Sequence, residues 1–256
     1  MVTIKTKEEI EILREGGKRL AFILQEVGKA IKPGVSTMDL NDLADKLAKE
    51  KGDYPSTLNY KPRGSKRPYP ASICISVNDE VVHGIPNENP KILKEGDTVS
   101  LDMCLTHKGL ITDSAITLPV GKIDSIASKL LSVTKESLYA GIKAAKGNKT
   151  TGDIGYAVER VAKANSFSVV EDLCGHGVGY KVHEDPYIPN YGERGRGDKL
   201  KPGMVVAIEP MFNEGKKDVY LDKDGYTFKT KDGSRSAHFE HTIVITNGEP
   251  EILTKI

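Results

Sequence analysis

The sequence predicts an α+β fold made of two pseudo-symmetric halves, with helices covering one face of a largely antiparallel sheet. The first sign is a repeat: Lys94-Glu95-Gly96-Asp97-Thr98-Val99-Ser100-Leu101-Asp102 matches Lys201-Pro202-Gly203-Met204-Val205-Val206-Ala207-Ile208-Glu209, an acid ending an apolar β-type run each time. A second is the echo of His83-Gly84-Ile85-Pro86 in His183-Glu184-Asp185-Pro186, and of Gly34 to Leu40 in Lys149 to Ile154, so that each half runs helix start, histidine, acid-tipped strand. A third is that helical and β-type segments are grouped, the pattern of an α+β layer arrangement. The halves are expected over 1–120 and 121–256, within a single domain.

Each element has its own justification. Ile10, Leu13, Leu20, Ile23, Leu24, Val27 and Ile31 fall at helical spacing and stop at Lys32-Pro33-Gly34, which predicts an amphipathic helix over 7–31. Ser36, Thr37 and Asp39 supply cap chemistry for a second helix that carries Leu40, Leu43, Ala44 and Leu47 on one face and ends before Gly52. Residues 130–145 read as a third helix, and Thr151 and Asp153 open a fourth with Ile154, Ala157, Val158 and Val161. Runs rich in β-branched residues predict strands over 72–82, 97–105, 110–118, 167–173, 204–212 and 239–246. Asp53 to Pro70, rich in Pro, Gly, Tyr and basic residues, reads as a long loop, with Arg63, Lys66 and Arg67 as a solvated rim; docking to an RNA-containing partner is a lesser expectation for them.

The 256 residues suffice for a sizeable core, and the 37 basic and 36 acidic residues nearly cancel, which gives no global field for DNA or an anionic membrane. No apolar stretch approaches a bilayer span and the first eleven residues lack a signal-peptide core, so a soluble cytoplasmic protein is expected. Cys74, Cys104 and Cys174 are odd in number and widely spaced, against a disulfide framework; Cys104 and Cys174 read as small buried hydrophobes.

The chemistry centres on acids. With a two-residue loop at His107-Lys108, Asp102 would pair with Asp113 across a hairpin, their Cβ atoms about 4.5–5.5 Å apart, or one register step away if Gly109 forms a bulge. Two like charges there need something positive between them. Glu209 ends the repeated strand, and Glu240 lies in His238-Phe239-Glu240-His241-Thr242-Ile243-Val244-Ile245, where a lone carboxylate is costly to bury without a cation. His176, within Gly175-His176-Gly177-Val178-Gly179, adds a nitrogen ligand. Four carboxylates and an imidazole suit Mn, Fe(II), Co or Zn, and two such ions would polarise a carbonyl and hold a hydroxide, which is hydrolase chemistry. His83 and His183 are then expected as donors to the scissile amide and its developing oxyanion. His107 reads as turn surface and His241 as a hydrogen-bonded core residue.

Taken together, Ser76-Val77-Asn78-Asp79-Glu80-Val81-Val82-His83-Gly84-Ile85-Pro86, Asp102 with Asp113, Cys174-Gly175-His176-Gly177-Val178-Gly179, His183-Glu184-Asp185-Pro186, Ile208-Glu209-Pro210-Met211 and Phe239-Glu240-His241-Thr242 resemble the type I methionine aminopeptidases, over nearly the whole chain. The resemblance implies the pita-bread fold and metal-dependent removal of initiator methionine from nascent polypeptide N-termini when residue two is small. It implies two divalent ions (Co, Mn, Fe or Zn) held by Asp102, Asp113, His176, Glu209 and Glu240. Asp102 and Glu240 would bridge, Glu209 would also be the general base, His83 would meet the scissile nitrogen and His183 the carbonyl oxygen. Tyr69, Cys74, Val182 and Tyr226 match the methionine side-chain pocket. A monomer with weak ribosome association is expected. His238 stands where the family usually has Gln, Tyr226 where many members have Trp, and Val182 where an aromatic is frequent.

The alternative is a Xaa-Pro aminopeptidase or prolidase, which shares fold and ligand types but usually carries an additional N-terminal domain; here the catalytic half begins almost at Met1. A metal-free binding protein of the same fold is disfavoured because four unmetallated acids would repel one another.

Overall fold

The computed structural model describes residues 2–62 and 64–255. Among them are four helices, α1 (Lys7–Ala30), α2 (Thr37–Glu50), α3 (Ser125–Ala144) and α4 (Thr151–Asn165), close to the predicted spans. The cap chemistry is there. Thr6 and Glu9 form a reciprocal capping box on α1, Ser36 and Asp39 on α2, and Thr150 and Asp153 on α4, satisfying backbone N–H groups that a helix start leaves without partners.

The strands are β1 (Tyr54–Pro55), β2 (Cys74–Val77), β3 (Glu80–Val82), β4 (Thr98–His107), β5 (Leu110–Pro119), β6 (Ser168–Val169), β7 (Cys174–Gly177), β8 (Glu184–Pro189), β9 (Val205–Ile208), β10 (Met211–Asn213), β11 (Val219–Leu221), β12 (Phe228–Thr230), β13 (Ser236–His238), β14 (Glu240–Val244) and β15 (Glu251–Ile252). The main sheet has nine antiparallel strands along the path β1-β4-β5-β14-β9-β7-β8, with β2 on β4 and β15 on β14. Strands β4 and β9, which carry the repeated segments, thus occupy equivalent places on either side of the central β5–β14 pair.

Alternation along these strands sorts their side chains. Leu101, Met103 and Leu105 of β4 join a core with Leu20, Ile23, Val27 and Leu40 of α1 and α2. Val206, Ile208 and Ile243 join a second core with Leu130, Leu138, Ile154 and Val158 of α3 and α4. Ile116 on β5 touches both. The helices therefore seal one face of the sheet, and the residues between, Asp102, Cys104 and Asp113 among them, point to the other.

Three expectations are corrected here. The β4–β5 turn is Lys108-Gly109, not His107-Lys108, and the register is His107↔Leu110, Cys104↔Asp113 and Asp102↔Ala115. Both turn residues have positive φ, 48° and 84°, as a tight two-residue hairpin turn requires, and Gly109 meets that condition without steric cost. Asp102 and Asp113 are consequently diagonal neighbours on one face rather than directly opposed. His107 is buried rather than turn surface: its Nδ1 lies 2.7 Å from Asp53 Oδ1, and Arg19 of α1 reaches the other oxygen of Asp53 at 3.3 Å. Arg63 lies outside the described residues. Lys66 is exposed as expected, but Arg67 is engaged, forking onto Glu88 and donating to the Asp224 carbonyl.

Candidate active site

On the open face of the sheet two neighbouring rungs build the centre of a cleft of about 270 Å³. One rung runs Cys74↔Asp102↔Ala115↔Glu240, the other joins Cys104 to Asp113 and Thr242 through Ala207 to His176. Thr242 Oγ1 stitches the second rung by accepting from Asp113 N at 2.9 Å and donating to Asp113 O at 2.7 Å. Glu209 follows directly on β9. All five expected acid and imidazole groups, Asp102, Asp113, His176, Glu209 and Glu240, line this one cleft, as do His83, His183, Tyr69, Cys74, Val182 and Tyr226.

Strand β7, which β-propensity alone does not predict, explains the glycines around His176. A Cβ on Gly175 would lie 2.4 Å from Ala207 O, and one on Gly177 only 2.2 Å from Asp185 O, so β7 fits between β9 and β8 only as Gly-His-Gly. His176 Nδ1 lies 2.9 Å from Gly177 O, where in the neutral ring it donates and leaves Nε2 to face the acids. That nitrogen is 3.2 Å from Glu209 Oε1 and 3.9 Å from Asp113 Oδ2.

The electrostatics are those of crowded carboxylates. Burial, then the Asp113 charge, pushes Asp102 and Glu240 well above the usual carboxylate range; burial also raises Asp113 and Glu209, against the pull of His176. Burial opposes charge on His176, yet the hydrogen bond and charge of Glu209, with Asp113, hold its pKa at about 8. Asp113 Oδ1 and Glu240 Oε1 are buried without a hydrogen-bond partner among the described residues. Asp113, His176 and Glu240 each offer a ligand atom within 4.8 Å of the others. Orphaned oxygens, raised carboxylate pKa values and a freed imidazole nitrogen fit a divalent cation of the borderline or hard kind.

His83 and His183 flank the acids. His83 has φ of 59°, in the left-handed region uncommon for a side chain of its size, and is held there by Gly84, whose carbonyl accepts from Ile75 N at 2.9 Å and from the Tyr69 hydroxyl at 2.7 Å. Burial and then His176 press its pKa down to about 4. His183 sits at the rim, its ring 4.4 Å from that of His176. The loop before it is tied down by Glu184, which accepts from Lys5 Nζ at 2.7 Å and from Lys181 N at 3.0 Å.

Tyr60, missed in the sequence because it lies in a segment without periodicity, places its hydroxyl 2.6 Å from His183 Nδ1. Burial lifts the Tyr60 pKa to about 12, so the phenol keeps its proton. Where it gives that proton to Nδ1, His183 carries its own on Nε2. Cys104 is buried as expected but lines the cleft, where its thiol donates to Asp113 Oδ2 at 2.9 Å, and Cys174, also on the cleft, is only half-buried. Their signal was available in the spacing, since Cys104 alternates in phase with Asp102.

The apolar end of the cleft is made by Tyr69, Cys74, Val182 and Tyr226, with the two phenol rings edge to face at 5.1 Å. Both hydroxyls are spent on backbone carbonyls, Tyr69 on Gly84 and Tyr226 on Arg67, and Ser65 donates to the Tyr226 oxygen at 2.9 Å. The rings therefore present carbon and π surface to a ligand, which suits a thioether.

Residues 11–247 match the sequence model of metallopeptidase family M24, and the chain belongs to that family, whose members use divalent metal. The same fold at low identity occurs in the prolidase of Pyrococcus furiosus, with a TM-score of 0.75 at 24% identity over 99% of this chain and 65% of that one. Much nearer are methionine aminopeptidases: methionine aminopeptidase 1 of Bacillus subtilis is 44% identical over 100% of both chains, and the crystal structure of the Thermotoga maritima enzyme superposes with a TM-score of 0.95 at 43% identity over 100% of both. Within M24 the chain is thus a methionine aminopeptidase of the pita-bread fold.

Proposed function

We propose that this enzyme removes the initiator methionine from nascent polypeptides whose second residue is small, in the cytoplasm, as a monomeric single-domain hydrolase. The observation that carries this reading is the meeting, in one cleft, of a buried carboxylate and imidazole cluster with an apolar pocket walled by Tyr69, Cys74, Val182 and Tyr226. Asp102, Asp113, His176, Glu209 and Glu240 would hold two divalent ions drawn from Co, Mn, Fe or Zn. When bound, such ions polarise the scissile carbonyl and acidify water.

The protein's own groups do the rest. Tyr69, Cys74, Val182 and Tyr226 take the methionine side chain and so fix which bond is presented. Glu209, its pKa raised by burial, accepts the proton of the attacking water and returns it to the departing amine. His183, with its proton on Nε2, donates to the carbonyl oxygen, and neutral His83 contacts the scissile nitrogen.

Release of the first residue from Met-Ala-Ser and from a non-methionine Xaa-Pro tripeptide, each with chelator and with added Co or Mn, tests the reading. Metal-dependent cleavage of Met-Ala-Ser alone is expected; cleavage of the proline peptide alone would overturn it. Tyr60→Phe should lower kcat/KM on Met-Ala-Ser roughly fivefold, the worth of about 1 kcal/mol for one hydrogen bond, with melting temperature unchanged. Wild-type kcat/KM in that variant would remove Tyr60 from the mechanism.

A further inference from the structure

Glu209 has a second imidazole beside it. While Oε1 faces His176, its other oxygen, Oε2, lies 3.8 Å from Nε2 of His238. His238 is 1% exposed, and neither of its ring nitrogens has a hydrogen-bond partner among the described residues. Its backbone is clamped from the neighbouring strand: Thr117 Oγ1 accepts from His238 N at 2.8 Å and donates to His238 O at 2.7 Å. Pairing of Met211 with His238 brings the end of β13 alongside the Glu209-Pro210 junction, where β9 gives way to β10. A buried ring with two orphan nitrogens, held by its backbone and aimed at a buried acid, costs stability unless it makes a bond.

We propose that His238 is a positioning residue for Glu209, its Nε2–H holding carboxylate oxygen Oε2 so that Oε1 is the oxygen presented to the cleft beside His176. Glu209 must turn toward His238 to bring the 3.8 Å separation to hydrogen-bonding distance. Without that bond Glu209 can rotate, and the angle at which it meets a cation or a water is no longer fixed. The proposal rests on the reading of Glu209 as ligand and base.

The test uses His238→Leu and His238→Gln, the amide of the second being able to donate to the same oxygen. In His238→Leu, Mn²⁺ affinity measured by calorimetry should fall about 10-fold and kcat by about 10- to 100-fold, with KM nearly constant, while His238→Gln keeps both close to wild type. In a Glu209→Gln background, His238→Leu should cost no further Mn²⁺ affinity, because the two act as one unit. Wild-type affinity and kcat in His238→Leu, or additive losses in the double variant, would overturn the proposal. The reading of Glu209 fails separately, if Glu209→Gln alone keeps wild-type affinity and turnover. Should His238→Leu not fold, ¹⁵N spectra of the wild-type ring decide: the Nε2–H tautomer supports the proposal and the Nδ1–H tautomer refutes it.

Discussion

Glu209→Gln turns over Met-Ala-Ser on the order of 10²- to 10⁴-fold more slowly than the wild type while binding it about as well, the loss expected when a general base is removed. The amide keeps the volume of the carboxylate and still meets His176 Nε2, 3.2 Å away in the wild type, so the fold has no reason to change. What disappears is the ability to take a proton. Because Glu209 also faces the cation site, kcat should be measured at saturating Mn²⁺ with the bound metal counted. Full turnover by a variant shown to hold two ions would end the general-base assignment.

Chelation is expected to abolish activity and to leave a protein whose stability falls as pH rises. His176 keeps its proton up to about 8 in the fold against 6.5 for an ordinary histidine. Its contribution is fully present below 6.5 and is lost as pH climbs through 8. Asp102 and Glu240, raised well above the carboxylate range, act with the same sign, since each favours the fold only while protonated. His83 and His241, both lowered to about 4, have the opposite sign, but their effect lies below 6.5. Between pH 6.5 and 8 the metal-free protein therefore loses about 1.4 kcal/mol per pH unit for each proton released. Cation binding works the other way, because it needs the deprotonated ligands. The gap in melting temperature between Mn²⁺-loaded and chelated protein should widen from pH 6.5 to 8; a constant gap would mean that these groups do not bind the ion.

Those two experiments probe a centre whose parts were unevenly legible in the sequence. The helices could be read because their signals are local: apolar residues at helical spacing mark the first, and Ser36 with Asp39 announces the start of the second within four residues. The acids could be read because carboxylates in apolar strands conflict with their surroundings. Strand β7 could not, since its reason for existing is the space between β8 and β9, which only the assembled sheet defines. The β4–β5 register missed by two residues because turn geometry, set by the positive φ of Lys108 and Gly109, decides it and hydrophobic alternation is indifferent to a shift of two. His107 and Tyr60 were hidden because their partners, Asp53 and His183, come from distant parts of the chain, and Tyr60 also lies in a segment without periodicity.

The acids and His176 are carried by, or directly follow, strands at the heart of the main sheet, whereas Tyr226 and its supports Ser65 and Arg67 come from connecting segments pinned to one another and to Glu88 and Asp224. The proposed reactive groups thus stand on the sheet, while the Tyr226 wall of the proposed side-chain pocket hangs on loops, so changes at Ser65 or Arg67 should alter which side chain is accepted before they disturb the acids.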